Sequence, residues 1–399
     1  MLLFQWRNAG LCHSLMRVLE ISMPRSYAFT AVGTLLLTLA AIAIFSLSIN
    51  PYKLYPKVSG LSPEISVDVF HYLRLYKPYA IERSRPDHLI VGSSRAARLD
   101  PQPLQEGGGT AYNAALPAAT LPEIRRAIEH AQAINPLSSV LVGLDYYMFL
   151  PPDELAIDPG PDERWKNPDA GIIEAIAHRY QRFEDFWRSL LSVDAMIDSW
   201  SALVSTEPSP REYREDGSWN TGAHVDTKYH YAMTLRKHDR EFRNEVGPTD
   251  FEELQKLLDF TAANNIEVSL LISPMQGLLL HAAHYVGAWN TYLDWQRALV
   301  SLANKHSADA KIYGMEDNPA LVLESMRAED PFFVDGVHYK RKVGTQITRC
   351  IGRSCDSQLR PTPLDNQSIE AYLEQVEALR GQYERAYPTE LRAAHKWLE

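Results

Sequence analysis

Between Tyr27 and Leu47 the chain runs YAFTAVGTLLLTLAAIAIFSL without one charged residue, and about 20 apolar residues are what one helix needs to cross a bilayer. A helix buried in a soluble core is the alternative, but such helices keep a polar face. The pattern therefore predicts a membrane-spanning segment over 27–47, and no later stretch is long and apolar enough to span again. In 48–85, Pro51, Pro56, Pro63 and Pro78 break any long helix, which predicts a tether. Beyond it, short apolar runs alternate with helical spacing. Strands are predicted at 88–92, 110–113, 139–144, 267–272 and 310–313, with helices at 121–134, 251–263 and 289–304. Such alternation implies parallel pairing through right-handed crossovers. The expected fold class is α/β, a parallel sheet with helices on both faces.

Between 151 and 248 this rhythm lapses. Residues 171–204 have helical spacing, with Tyr180, Phe183, Phe186 and Trp187 in a stripe expected to pack internally. The stretch EPSPREYREDGSWN from Glu207 to Asn220 predicts an irregular loop, and Trp219 beside Gly217 and Asn220 is placed to stack on a ligand. Residues 366–386 form a charged amphipathic helix. The expected organisation is an N-terminal segment (1–26), an anchor (27–47), a tether (48–85), an α/β domain (86–352) interrupted by the insertion 151–248, and a helical C-terminal extension (353–399).

The composition narrows the class. The 399 residues are 45% hydrophobic, 23% charged and 10% aromatic, which excludes a largely disordered chain. A net charge of -10 with no sustained basic run argues against a nucleic-acid partner. Arg7, Arg17 and Arg25 precede the apolar segment with Glu20, while Lys53 and Lys57 follow it, a weak lean towards a cytoplasmic N-terminus. The apolar stretch is longer than a signal-peptide core and no small-x-small cleavage site follows it, which predicts an uncleaved signal anchor. Met23 is a second candidate start. Of the three cysteines, Cys12 precedes the anchor; Cys350 and Cys355 can pair in an oxidising compartment or stand as buried thiols.

Ligands of open parallel sheets collect at the strands' carboxyl ends. Gly92-Ser93-Ser94-Arg95 follows the first predicted strand, Asn113 to Ala118 the second, and Asp145-Tyr146 the third; Asp335-Gly336-Val337-His338 comes after the last. A serine nucleophile needs a base, and the base needs a group that fixes its tautomer. Ser94, His338 and Asp335 fill those roles, with oxyanion donors available from the backbone N–H of Ser94 and of the Asn113–Ala118 turn. Asp-x-x-H alone is weak, since Asp68 to His71 also matches. The order and placement of four short motifs carry the weight.

These motifs resemble the SGNH (GDSL-like) hydrolases and acyltransferases, whose sheet is flavodoxin-like. The first block resembles Gly92-Ser93-Ser94, the second Asn113 to Ala118, the third Gly143 to Tyr146, and the fifth matches Asp335 and His338; Ser273-Pro274 fits the habit after the fourth core strand. The resemblance covers about 86–150 and 250–352. With the single anchor and long insertion, the chain is most similar to membrane-anchored bacterial proteins related to the alginate O-acetyltransferase family. That implies a serine O-acetyltransferase or acetylesterase acting on a cell-surface polysaccharide, in the periplasm and anchored in the inner membrane, often beside a multi-spanning membrane-bound O-acyltransferase. A catalytically degenerate polysaccharide-binding or scaffold protein is the alternative.

Two positions depart from the family pattern. Ala118 stands where the second block has its oxyanion glycine, and Asp145 where the third has asparagine. An ionised carboxylate there would repel an oxyanion, and one lost donor typically costs about 3 kcal/mol. The alternatives at Asp145 are a protonated carboxyl, a side chain that points elsewhere, or a bond to a sugar hydroxyl. Arg95, next to the nucleophile, is a salt-bridge or substrate-binding candidate. No metal is expected, because His281 and His284 lack further ligands nearby in sequence. No cofactor is expected, for want of a phosphate-binding glycine motif.

Overall fold

The computed structural model describes residues 25–56, 67–151, 160, 162–205, 213–219, 227–244, 251–306, 310–351, 353 and 355–398. The expectations at Arg7, Cys12, Arg17, Glu20, Met23, Lys57, Pro63 and Asn220 fall outside them.

The first element, α1 (Arg25–Ile49), is a 25-residue helix long and apolar enough to span a membrane. The following stretch departs from a tether: α2 (Leu73–Ser84) tolerates Pro78 in its interior and buries Tyr76, Tyr79 and Ile81. The sheet then builds through β1 (His88–Val91) and β2 (Ala111–Asn113), α3 (Leu121–Ile134) and β3 (Ser139–Leu144). Thr120 starts α3 with a capping box, its hydroxyl accepting from the Glu123 N–H while Glu123 accepts from the Thr120 N–H at 2.9 Å.

The insertion contributes α4 (Ile172–Leu191), α5 (Val193–Val204) and α6 (Thr227–Phe242). What the spacing suggested as one helical stretch is broken at Ser192, whose hydroxyl caps α5 by accepting from the Ala195 N–H at 3.0 Å. The rhythm resumes with α7 (Phe251–Ala263), β4 (Glu267–Ile272), α8 (Gly277–Tyr285), α9 (Trp289–His306) and β5 (Ala310–Gly314). After the short α10 (Pro319–Val322) and α11 (Arg341–Cys350) come β6 (Thr362–Leu364), α12 (Ile369–Ala386) and α13 (Pro388–Leu398). Cys350 and Cys355 are joined by a disulfide.

The strand order is β2-β1-β3-β4-β5-β6, parallel except for β6, which runs antiparallel at the edge. Successive strand residues face opposite sides, so the unbroken burial of Leu89 to Val91 and Val140 to Leu144 means that both faces of the central sheet are covered. Val91 pairs with Val142 and Leu144 with Ile272, which aligns the carboxyl ends of β1, β3 and β4. The order reverses between β1 and β3, so the crevice of a doubly wound sheet opens above these two ends.

Candidate active site

Ser94 sits in the turn leaving β1, beside that crevice. The turn is held by close packing: a Cβ on Gly92 would come within 2.7 Å of the Gly143 carbonyl and of the Ala96 side chain, and one on Gly143 within 2.8 Å of Ala96. These glycines let the ends of β1 and β3 and the segment after Ser94 meet.

His338 reaches Ser94 from a loop after β5. The backbone of Phe333 bridges that of Tyr339, and Val334 donates to the His338 carbonyl at 2.8 Å, making a small hairpin. Gly336 at its tip has φ +87°, and a Cβ there would meet Leu279 of α8 at 2.3 Å. The Gln276 N–H clamps the Gly336 carbonyl at 2.8 Å.

Within this frame Ser94 Oγ lies 2.7 Å from His338 Nε2, and His338 Nδ1 lies 2.7 Å from Asp335 Oδ2. Asp335 Oδ1 also accepts from the N–H groups of His338, at 2.8 Å, and Val337, at 3.2 Å. Burial pushes the Asp335 carboxyl up, but His338 and these two donors outweigh it and hold the group well below the usual carboxylate range. An ionised Asp335 fixes the proton on His338 Nδ1 and leaves Nε2 to accept from Ser94. The decoy match at Asp68 has a local use, since its Oδ1 accepts from the Phe70 N–H at 2.8 Å.

The oxyanion donors sort themselves by elimination. The N–H of Asn113 goes to the Asp216 carbonyl, that of Ala114 to Ile90, that of Ala115 to the Asn113 side chain, and that of Leu116 to Gly92. Pro117 has no N–H. Among the described residues, the N–H groups of Ser94 and Ala118 meet no such partner in the turn. Ala118 adopts φ +50°, the left-handed region that favours glycine, so the backbone geometry is retained without the residue that adopts it most readily.

Asn113, Arg95 and Asp145 all find partners inside the fold; for Arg95 this is the salt bridge its position suggested. The Asn113 side chain donates to the carbonyls of Ala96, at 2.8 Å, and Leu99, at 2.9 Å, and accepts from Ala115. Both amide hydrogens are thereby used to hold the Ser94 segment, leaving none for an oxyanion. Arg95 is buried, with its guanidinium 3.2 Å from Asp145 and 3.1 Å from His238 Nε2, so it faces the interior and not a substrate. Asp145 is buried opposite it, and its charge is met by Arg95, although neither carboxylate oxygen accepts a well-aligned hydrogen bond. The Asp145 carboxylate thus sits in an ion pair within the fold. His238 passes the link on to Glu241 through Nδ1 at 2.5 Å.

Trp219 borders His338. It lies edge-on to His338 with ring centroids 6.1 Å apart, stacks on Tyr213 at 6.0 Å, and has the Arg98 guanidinium 3.7 Å above its ring. Its backbone N–H donates to the Ala97 carbonyl at 2.7 Å, which brings this part of the insertion onto the segment after Ser94.

Several supporting residues carry no sequence motif. Lys77 of α2 is fully buried and donates to the carbonyls of Asn113, at 2.6 Å, and Gly217, at 2.7 Å. Three residues earlier on the same helix, Arg74 donates to the Pro117 carbonyl at 3.1 Å and pairs with Glu123 at 2.7 Å. One helix therefore holds the Asn113–Ala118 turn near both ends. Burial lowers the Lys77 ammonium to about 7, with Asp216 opposing, and lowers buried Arg98 to about 10, with Asp335 opposing.

His281 and His284 do gain a carboxylate that sequence spacing hid. Glu384 of α12 lies 2.8 Å from His281 Nδ1 and 3.5 Å from His284 Nδ1, while His395 of α13 meets His281 Nε2 at 2.9 Å. Arg380 bonds the same Glu384 oxygen at 2.5 Å, so the cluster ties α8 to the two C-terminal helices. A cavity of about 730 Å³ lined by Arg125, Trp165, Ile173 and His178 contains none of the triad. Compared with known proteins, the chain matches no family model and no curated sequence.

Proposed function

We propose that this protein is a serine-dependent O-acetyltransferase or acetylesterase of the SGNH type, acting on a cell-surface polysaccharide from the periplasmic face of the bacterial inner membrane. The observation that carries the reading is the continuous chain from Ser94 Oγ through both ring nitrogens of His338 to Asp335, each link 2.7 Å. Ser94 and His338 are both partly accessible, so a substrate can reach the pair. The apolar α1 supports anchoring, and the disulfide supports an oxidising compartment.

His338 takes the Ser94 proton as Oγ attacks the acyl carbon of the donor. The developing oxyanion is met by the N–H groups of Ser94 and Ala118. Collapse breaks the bond to the leaving group, which receives the proton from His338 and leaves an acetyl ester on Ser94. A glycan hydroxyl or a water then gives its proton to His338, attacks the ester and restores Ser94. A multi-spanning membrane-bound O-acyltransferase is a natural partner for delivery of the acetyl group.

The test is acetyl release from an activated aryl ester by the full-length protein in detergent. Ser94→Ala and His338→Ala are each expected to reduce turnover by at least about 10³-fold, and Asp335→Asn by about 10⁴-fold through loss of the productive tautomer. Turnover unchanged by Ser94→Ala and His338→Ala would overturn the assignment.

A further inference from the structure

The two insertion helices face the wrong way for a protein surrounded by water. Along α4, Ile173, Ile176, Tyr180, Phe183 and Trp187 follow helical spacing on one face, and all are exposed, Ile173 by 83% and Tyr180 by 67%. Along α5, Val193, Met196, Ile197, Trp200 and Leu203 do the same, Val193 by 66% and Trp200 by 60%. The polar faces are turned inward and bonded to the domain. Asp185 pairs with Arg164 at 2.7 Å and accepts from Tyr79 at 3.0 Å; Arg182 pairs with Glu82. Asp198 accepts from Tyr52 at 2.9 Å and from Tyr72 at 2.8 Å, and Ser189 bonds Tyr55 at 2.8 Å. These ties fix the orientation of both helices, with their apolar faces turned outward.

Both helices pack on α1. Of the large apolar side chains exposed among the described residues, all except Met233 and Tyr285 lie on α1, α4 and α5. The apolar surface is therefore one continuous region built around the candidate membrane span. Among the described residues of α1, Ser46 and Ile49 are buried and Ile42, Phe45 and Leu47 are half-buried, so the hairpin flanks the end at which the chain leaves the span. With Arg179, Glu184, Asp185 and Arg188 along it, α4 is too charged to cross a bilayer. A helix with one aromatic, apolar face and one charged face instead lies along the membrane interface.

We infer that α4 and α5 form an interfacial hairpin whose apolar face is seated in the lipid of the leaflet where α1 emerges. Lipid is the occupant that α1 itself brings to this surface, and a patch of this size is not left to water. The hairpin is also two contacts from the chemistry. Arg182 stacks over Tyr79 and pairs with Glu82 on α2, the helix whose Lys77 and Arg74 hold the Asn113–Ala118 turn. The catalytic crevice is thereby held at a fixed height over the bilayer surface.

This inference rests on reading α1 as membrane-spanning, and the experiment separates the two. Full-length protein with Cys12→Ser is reconstituted alone into phosphatidylethanolamine and phosphatidylglycerol vesicles. Single nitroxide labels are placed through Ile176→Cys, Phe183→Cys and Ile197→Cys, with Leu36→Cys on α1 and Glu377→Cys on α12 as references. Collision rates with oxygen, which partitions into lipid, are compared with those of a water-soluble nickel chelate. Oxygen is expected to dominate at 176, 183 and 197 as at 36, and the chelate at 377. Dominance of the chelate on α4 and α5 would overturn the inference while leaving α1 intact. Shielding of these sites from both reagents would also overturn it, showing that a second copy covers the face. An aqueous label at 36 would instead remove the membrane span itself.

Discussion

Ala118 and Asp145 are where single residues decide most. Ala118 keeps a left-handed backbone that glycine adopts freely, and the Cβ penalty in that region is about 1 kcal/mol. Ala118→Gly is therefore expected to raise the unfolding free energy by about 1 kcal/mol, measured by urea titration, while preserving esterase turnover. Asp145 gives the opposite result. Placing asparagine at 145 strands buried Arg95 without its counter-charge, and breaking such a pair from one side costs about 3 kcal/mol. Asp145→Asn should lower the melting temperature, and Arg95→Met added to it should recover much of the loss. A melting temperature untouched by Asp145→Asn would show that the pair contributes nothing. The serine of the candidate site was legible in a short pattern at the end of β1, and the aspartate and histidine in an Asp-x-x-His pattern on a loop after β5. The partner of Asp145 was not, although it stands two residues from Ser93, because nothing in a sequence says which way a side chain turns.

At the scale of elements, the five parallel strands were plain from short apolar runs, whereas the three-residue antiparallel β6 left no such run, and α2 was hidden by Pro78 and by a pattern too weakly amphipathic to mark a core face. Yet α2 supplies the cation under the turn. Unfolded, Lys77 keeps its ordinary value of 10.5; folded, burial holds it at about 7. Between these values the unfolded chain binds more protons than the native one, so stability rises as pH increases from about 7 to 10.5 and is flat below. The free-energy difference between wild type and Lys77→Met should follow that course in denaturant titrations at several pH values; a difference independent of pH would show that Lys77 keeps its ordinary value when folded. The helical insertion was also legible, but its stripe of Tyr180, Phe183 and Trp187 suggested a core contact. Periodicity identifies an apolar face, and only the inward bonds of Asp185 and Asp198 reveal that the face looks out.

For the whole molecule, α1 and the α4–α5 hairpin share one exposed apolar surface. Residues 50–399, lacking α1, are expected to remain associated with lipid vesicles on sedimentation because the α4–α5 face persists. Charging it through Ile173→Glu, Ile176→Glu and Ile197→Glu should release that fragment to the supernatant. Retention of the charged variant on the vesicles would mean that some other surface binds them.

The distance along the chain between nucleophile and base has a consequence for biogenesis. Ser94 and His338 are 244 residues apart, and the loop that carries His338 is clamped by α8, which α12 and α13 brace in turn through Glu384 and His395. A chain emerging from its amino end exposes the serine long before any base can reach it. An unassisted serine hydroxyl is a poor nucleophile, so on the proposed reading Ser94 is activated only after the His338 loop has folded against it.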